Sequence, residues 1–314
     1  MGHLMQHIFF WGAFVILLSQ TSALHPWGGL VVDEQGDIYF TFICPFVDDD
    51  HFACVWKISN GEATASLQSN RSPSDIVLAR NNKRVIFGAE RSNAGRGHQA
   101  SLWELDQGQW DLKIGPTTKE TQFHVQAFTV DDADTVYFAK GGQLFSRSPE
   151  GAVALVSDEV AFDRIDALAW GPKGALYILD RDVLYLKPEG RGPISEVASG
   201  LKDESPEELP FSGANILFDM AVDEEGIMYL AYYGNRRILK VIPSGEVSTL
   251  VHSKSPWSPH GIDVYKGEIY ILESTVGGGS WWKIWERPVI VPRVRKIGKD
   301  GTSTVVFEYK KASR

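Results

Sequence analysis

The 314-residue sequence predicts an all-β fold, a six-bladed β-propeller with four antiparallel strands in each blade. Three observations carry this: one pattern occurs six times, successive copies lie about 46 residues apart, and a tight-hairpin pattern trails every copy.

The repeated pattern is a short apolar strand, a turn that often carries Gly, and an apolar residue followed by an aromatic. It reads GLVVDEQGDIYF at Gly29–Phe40, DIVLARNNKRVIF at Asp75–Phe87 and AFTVDDADTVYF at Ala127–Phe138. The later copies are ALAWGPKGALYIL at Ala167–Leu179, DMAVDEEGIMYL at Asp219–Leu230 and GIDVYKGEIYIL at Gly261–Leu272. Their aromatics are Tyr39, Phe87, Tyr137, Tyr177, Tyr229 and Tyr270, separated by 48, 50, 40, 52 and 41 residues. Helical arrays need periods of about 33–34 residues and a 3.6-residue apolar stripe, and neither is present. The trailing hairpins turn at Gly61, Gly108, Gly151, Gly190, Gly245 and Gly301. Strand order is the same in every unit, and the last copy holds its own outer strand, Thr302–Tyr309. Closure by packing of the first blade on the last is therefore expected, with residues 24–28 available as an edge strand.

The amino terminus sets the compartment. Ile8–Leu18 is an apolar run of eleven residues, short of the 20 or so that span a bilayer. Small residues follow at Thr21 and Ala23, so residues 1–23 read as a cleaved signal, with an uncleaved anchor the alternative, and 24–314 as a single propeller domain. The mature protein is then secreted or periplasmic, without a membrane anchor and expected as a monomer. In an oxidising compartment Cys44 and Cys54, the only two cysteines, are expected to form a disulfide, with two buried thiols the alternative. Composition narrows the partners: 31 basic against 40 acidic residues give a net charge of −9, which speaks against nucleic acid.

Propeller topology turns connection lengths into a functional map. Long connections fall on one face, at Ile43–Ala53, Glu90–Ala100, Ser274–Pro292 and Leu201–Asn215, and short turns on the other. Binding concentrates on elaborated loops. Residues starting the innermost strand there are Trp27, Asp75, Gln126, Asp166, Asn215 and His260; those leaving the second strand are Glu90, Lys140, Asp180, Tyr232 and Glu273. Asp180, Glu273, Asn215, Asp75, Asp166 and Glu90 are candidate ligands for Ca²⁺ or Zn²⁺, or else acceptors for loop N–H groups. His260 is the candidate general base. His25, His124 and His260 have unequal offsets from the repeat, which argues against a three-histidine zinc centre. Asp131, Asp132 and Asp134 sit in a turn on the opposite face and read as turn chemistry. Trp281, Trp282 and Trp285 either clamp their loop or offer stacking surface to a partner. Serine-nucleophile, phosphate-binding and dinucleotide glycine motifs are all missing from the sequence.

The stretch YLAYYGNRRILKVIPSGEVSTLV at Tyr229–Val251 resembles an NHL repeat, and SPHGIDV at Ser258–Val264 is similar to the start of one. More widely the chain resembles the six-bladed NHL and regucalcin/gluconolactonase propellers. NHL repeats often place Asp where Tyr232 stands. The lactonase branch implies a metal held by Glu, Asn and Asp around the channel. Here Trp27-Gly28-Gly29 stands where its Glu is expected and Glu273 where an Asp is, leaving Asn215, Asp180 and Glu273 as a variant set. Two functions follow as expectations: an exported module binding a protein or glycan through its loop-rich face, or a metal-dependent lactonase, esterase or lyase at the channel mouth.

Overall fold

The computed structural model describes residues 29–43, 53–69, 74–94, 97–119, 121–156, 159–190, 192–202, 215–275 and 291–309. They form 24 strands in six four-stranded antiparallel sheets, each paired in chain order from the channel outward. Blade one is β1 to β4 (Leu30–Val32, Ile38–Ile43, Ala53–Ser59, Glu62–Gln68); blade two is β5 to β8 (Ser74–Arg80, Ile86–Ala94, Gly97–Asp106, Gln109–Thr117). Blade three is β9 to β12 (Phe128–Val130, Val136–Lys140, Gln143–Arg147, Val153–Leu155); blade four is β13 to β16 (Ile165–Trp170, Leu176–Asp180, Val183–Lys187, Ser195–Ala198). Blade five is β17 to β20 (Leu217–Val222, Met228–Tyr232, Arg237–Val241, Val247–His252); blade six is β21 to β24 (Trp257–Tyr265, Glu268–Thr275, Pro292–Ile297, Ser303–Glu308).

The repeated aromatic has a structural cause. Six apolar clusters each bridge two neighbouring blades, and each takes one of the six aromatics: Tyr39, Phe87, Tyr137, Tyr177, Tyr229 and Tyr270. A sheet with one apolar face must bury it against its neighbour, and a large ring on the second strand does so at low entropy cost. The cluster holding Tyr270 joins Leu30, Val32 and Phe40 of blade one to Leu272 and Val294 of blade six, so the ring closes by face packing.

A buried ionic clasp reinforces that seam. Asp263 on β21 accepts the Val32 N–H (2.9 Å) from blade one and Arg80 Nε (2.9 Å) from blade two. Arg84 adds Nη1 at 3.1 Å and bonds the carbonyl oxygens of Val32 and Val264. Blades six, one and two therefore meet on one carboxylate.

Turns between first and second strands are tight. The carboxylates of Asp33, Asp131 and Asp223 each accept two N–H groups of their own turn. On the other face, Glu90–Ala100 differs from its expectation as a loop. β6 and β7 stay paired as far as Ala94 and Gly97, so most of this connection is strand. Among the described residues no helix is long and apolar enough to cross a membrane.

Candidate functional site

The innermost strands of blades four, five and six each carry a β-bulge at their loop-rich end. In β13 the pairing jumps from Ile165 to Ala167, in β17 from Leu217 to Asp219, and in β21 from Pro259 to Gly261. Two residues then oppose one, which re-aims the extra side chain. The bulged residues are Asp166, Phe218 and His260, and Gln126, just before Ala127 and β9, holds the matching place in blade three. The repeat pattern points to Gln126, Asp166 and His260 but not to Phe218, because an aromatic there looks like core.

These four do not form one reactive centre. Gln126 donates Nε2 to the Ile165 carbonyl (3.1 Å). Asp166 is gripped by Arg164 at 2.7 and 3.1 Å; burial raises its carboxyl, and Arg164 opposes the shift. Phe218 packs edge-on against Tyr233, centroids 5.2 Å apart. His260 is 2% exposed, and neither ring nitrogen has a hydrogen-bond partner among the described residues. Burial lowers its imidazole to about 3, so it is neutral and a weak base.

The acidic residues leaving the second strand share one role, which is to hold down the connection that enters their own blade. Glu90 accepts the Ser69 hydroxyl (2.5 Å) and Trp103 Nε1 (3.4 Å). Asp180 accepts the N–H groups of Asp163 (2.9 Å) and Arg164 (2.6 Å). Glu273 accepts the Ser253 hydroxyl and is enclosed by Arg293 (2.6 Å) and Arg295 (2.7 and 2.9 Å). In blade five Tyr232 donates its hydroxyl to Asn215 Oδ1 (2.6 Å).

This donor set does not fit a Ca²⁺ or Zn²⁺ ion. A hard cation needs carboxylate lone pairs, and here they receive N–H groups, hydroxyls and two guanidiniums. Among the described residues no three of His, Cys, Asp and Glu converge to hold a metal. Trp281, Trp282, Trp285, Trp27 and Cys44 lie outside the described residues. Cys54 is fully buried at the start of β3, opposite Phe42.

Two cavities among the described residues bear on the site. One, of about 40 Å³, sits among the innermost strands beside Thr129, Asp219, Asp263 and Arg80; this is room for roughly two or three waters. Asp219 there accepts the N–H groups of Ile262 (2.9 Å) and Met220 (2.8 Å), and burial pushes its carboxyl up to about 8. The other, of about 160 Å³, opens on the loop-rich face between blades two and three, lined by Asp75, Val77, Arg91, His124, Val125 and Gln126. His124 meets the Ala139 carbonyl through Nδ1 (3.2 Å), and because a carbonyl only accepts, Nδ1 carries the proton. In the sequence His124 stands out only through the zinc question; its proximity to Arg91 is a matter of blade packing.

No family model and no curated protein matches the sequence. Solved structures do. Streptogramin B lyase superposes with a TM-score of 0.53 at 13% identity, over 93% of this chain and 86% of that one. The likeness is one of fold. A calcium-binding protein, regucalcin, from Agrobacterium tumefaciens matches with a TM-score of 0.53 at 11% identity, over 84% of this chain and 88% of that one. A PQQ-bound aldose sugar dehydrogenase from Streptomyces coelicolor matches at 0.52 and 12%, over 87% and 95%. The six-bladed architecture expected from the repeats is thus shared with lyase, calcium-binding and dehydrogenase propellers.

Proposed function

We propose that the protein is an exported, monomeric propeller that captures a protein or glycan partner through its loop-rich face. The observation that carries this is the 160 Å³ opening on that face, where Arg91, His124, Gln126 and Asp75 converge, while the carboxylates around the mouth are committed to holding connections. Pockets with a few convergent polar groups over apolar walls are the usual form of a binding site. Export and a Cys44–Cys54 bridge belong to the same proposal. Cleavage after Ala23 leaves Leu24 as the mature terminus, which N-terminal sequencing of the exported chain reads directly; an intact Met1 would refute the cleavage.

The test of binding is capture by the immobilised mature chain on a glycan array and on a panel of extracellular proteins. Arg91→Glu, on the loop-rich face, is expected to abolish capture, and Glu224→Arg, in an exposed turn of the opposite face, to leave it intact. Equal loss from both, or no capture at all, would refute the reading.

A metal-dependent lactonase, esterase or lyase is the competing reading, supported by the fold shared with a lyase propeller. The low basicity of His260 weighs against it, since a general base works best with a pKa near the working pH. Turnover of a lactone or aryl ester that depends on added Ca²⁺ or Zn²⁺ and is lost in EDTA would replace the binding reading.

A further inference from the structure

The ionic cluster at the loop-rich end of blade six carries more positive charge than it neutralises. Among the described residues Glu273 is the one carboxylate in it. Glu273 is fully buried and pairs with both Arg293 and Arg295, whose side chains are 13% and 11% exposed. Two cations against one anion leave an excess of one positive charge in a largely desolvated place, where an unbalanced charge is costly. Glu308 stands opposite Arg293 in the β23–β24 register, but it is exposed, and the two make no ion pair among the described residues. The two arginines also use their donors differently. Arg295 bonds Glu273 through Nε and Nη2, Ser253 through Nη2 (3.0 Å) and Ser303 through Nη1 (3.2 Å). Arg293 bonds Glu273 through Nε alone (2.6 Å), and among the described residues its Nη1 and Nη2 have no hydrogen-bond partner. Arg80, Arg84 and Arg164 each engage at least one Nη.

The Arg293 guanidinium is fixed in two ways, at Nε by Glu273 and across its face by the Trp257 indole, whose ring centroid lies 4.1 Å from Cζ. A side chain already held still loses little further freedom on binding, which favours a ligand at its open edge. That edge, Nη1 with Nη2, is a planar pair of donors that matches a carboxylate in bidentate fashion. One carboxylate also balances the excess charge, whereas a doubly charged phosphate or sulfate overshoots it. The indole face is covered by the guanidinium, so that face is closed to the stacking of a sugar ring. We propose that Arg293, braced by Glu273 and Trp257, binds the carboxylate of a glutamate or aspartate side chain on a protein partner. Lys254 lies exposed on the connection that carries Ser253 and Trp257, has no ion pair among the described residues, and adds positive charge there. Arginine and tryptophan in a desolvated setting are the residues that most often anchor protein interfaces. This deepens, and rests on, the reading of the loop-rich face as the binding face, and it selects a protein over a glycan.

The test is an NMR titration of the isotope-labelled full chain that follows the Arg293 Nε–H signal, assigned by its loss in Arg293→Lys. The probes are acetyl-Gly-Glu-Gly-amide, acetyl-Gly-Gln-Gly-amide and D-glucuronate. Saturable movement of that signal with the glutamyl peptide is expected in about the millimolar range, with the glutaminyl peptide and glucuronate about tenfold or more weaker. Followed at the Trp257 indole N–H, binding of the glutamyl peptide should weaken about tenfold or more in Arg293→Gln. Arg293→Lys keeps the charge without the fork and should fall between that variant and the parent, which separates recognition from folding should Arg293→Gln destabilise the chain. No saturable movement, equal binding of the glutaminyl peptide, equal or tighter binding of glucuronate, or peptide binding unchanged in both variants would overturn the proposal. If the glutamyl peptide fails while partner capture through the loop-rich face persists, only this site assignment falls; if capture fails too, the wider reading falls with it.

Discussion

Asp219 makes stability depend on pH in a direction opposite to that of most carboxylates. Its folded-state carboxyl is pushed up to about 8 from 3.8, with burial as the largest cause and nearby Asp263 adding to it. Between those two values the native chain holds a proton that the unfolded chain has released. Stability therefore falls as pH rises through this window and levels off above about pH 8. Integrating a single site between about pH 5 and about pH 8 gives a loss on the order of 4 kcal/mol. That corresponds to roughly 8 °C in melting temperature for a chain of this size. Asp219→Asn removes the titration, but its amide nitrogen cannot accept one of the two N–H groups from Ile262 and Met220. That loss costs about 1–3 kcal/mol at every pH. The variant should thus be less stable than the parent near pH 5 and equal or more stable near pH 8. Urea unfolding at both pH values reads this directly, and groups common to both chains cancel in the difference. Parallel stability curves would refute the argument, because they would show that Asp219 does not titrate there.

Three further outcomes are expected. His260 is held neutral by burial, at about 3 against 6.5, so its contribution is complete above about pH 6.5 and declines as pH falls. His260→Leu should remove about 2 kcal/mol of acid destabilisation between about pH 7 and pH 5 in the same unfolding assay, and an unchanged slope would rule this out. Glu273→Gln leaves Arg293 and Arg295 without their buried counter-charge and should cost about 3–5 kcal/mol, visible as a lower midpoint in thermal unfolding. Asp263→Asn loosens the clasp between blades six, one and two, so hydrogen exchange should speed up in β1 before it does in β13 to β16; uniform acceleration would mean that Asp263 does not act at the seam.

The ring was legible because each blade needs the same ring-shaped side chain against its neighbour, which places Tyr39 and its five counterparts at near-equal spacing. The outer strand of blade six was legible for the same reason: Thr302–Tyr309 was expected, and Ser303–Glu308 is the strand. The hairpin of blade two was not. Ser92-Asn93-Ala94-Gly95-Arg96-Gly97 has neither β-branched residues nor apolar alternation, the usual marks of a strand in a sequence. Asp219 and Asp263 do not stand out as individuals either. Each is a single acid within an apolar strand, and only the packing of neighbouring blades shows what its oxygens meet.

A place in the repeat puts an acid at the end of a strand without fixing what its oxygens do there. Glu90 meets Ser69 and Glu273 meets Ser253, partners 21 and 20 residues upstream, while Asp180 meets two backbone N–H groups. A connection that crosses from one blade to the next brings polar groups to the edge of a packed interior, where an unpaired donor is costly. An acid at the end of the second strand satisfies them, and Tyr232 with Asn215 does the same with neutral groups. Repetition of this device in four blades gives the mouth its acidic look without assembling a cation site among the described residues. Asp75 and Arg91 depart from the device: their pair is on the first and second strands of one blade, spans 3.6 Å, and borders open space. Among the described residues they are the ion pair that lines this opening, and the Arg91 guanidinium is where an acidic group entering it would meet its opposite charge.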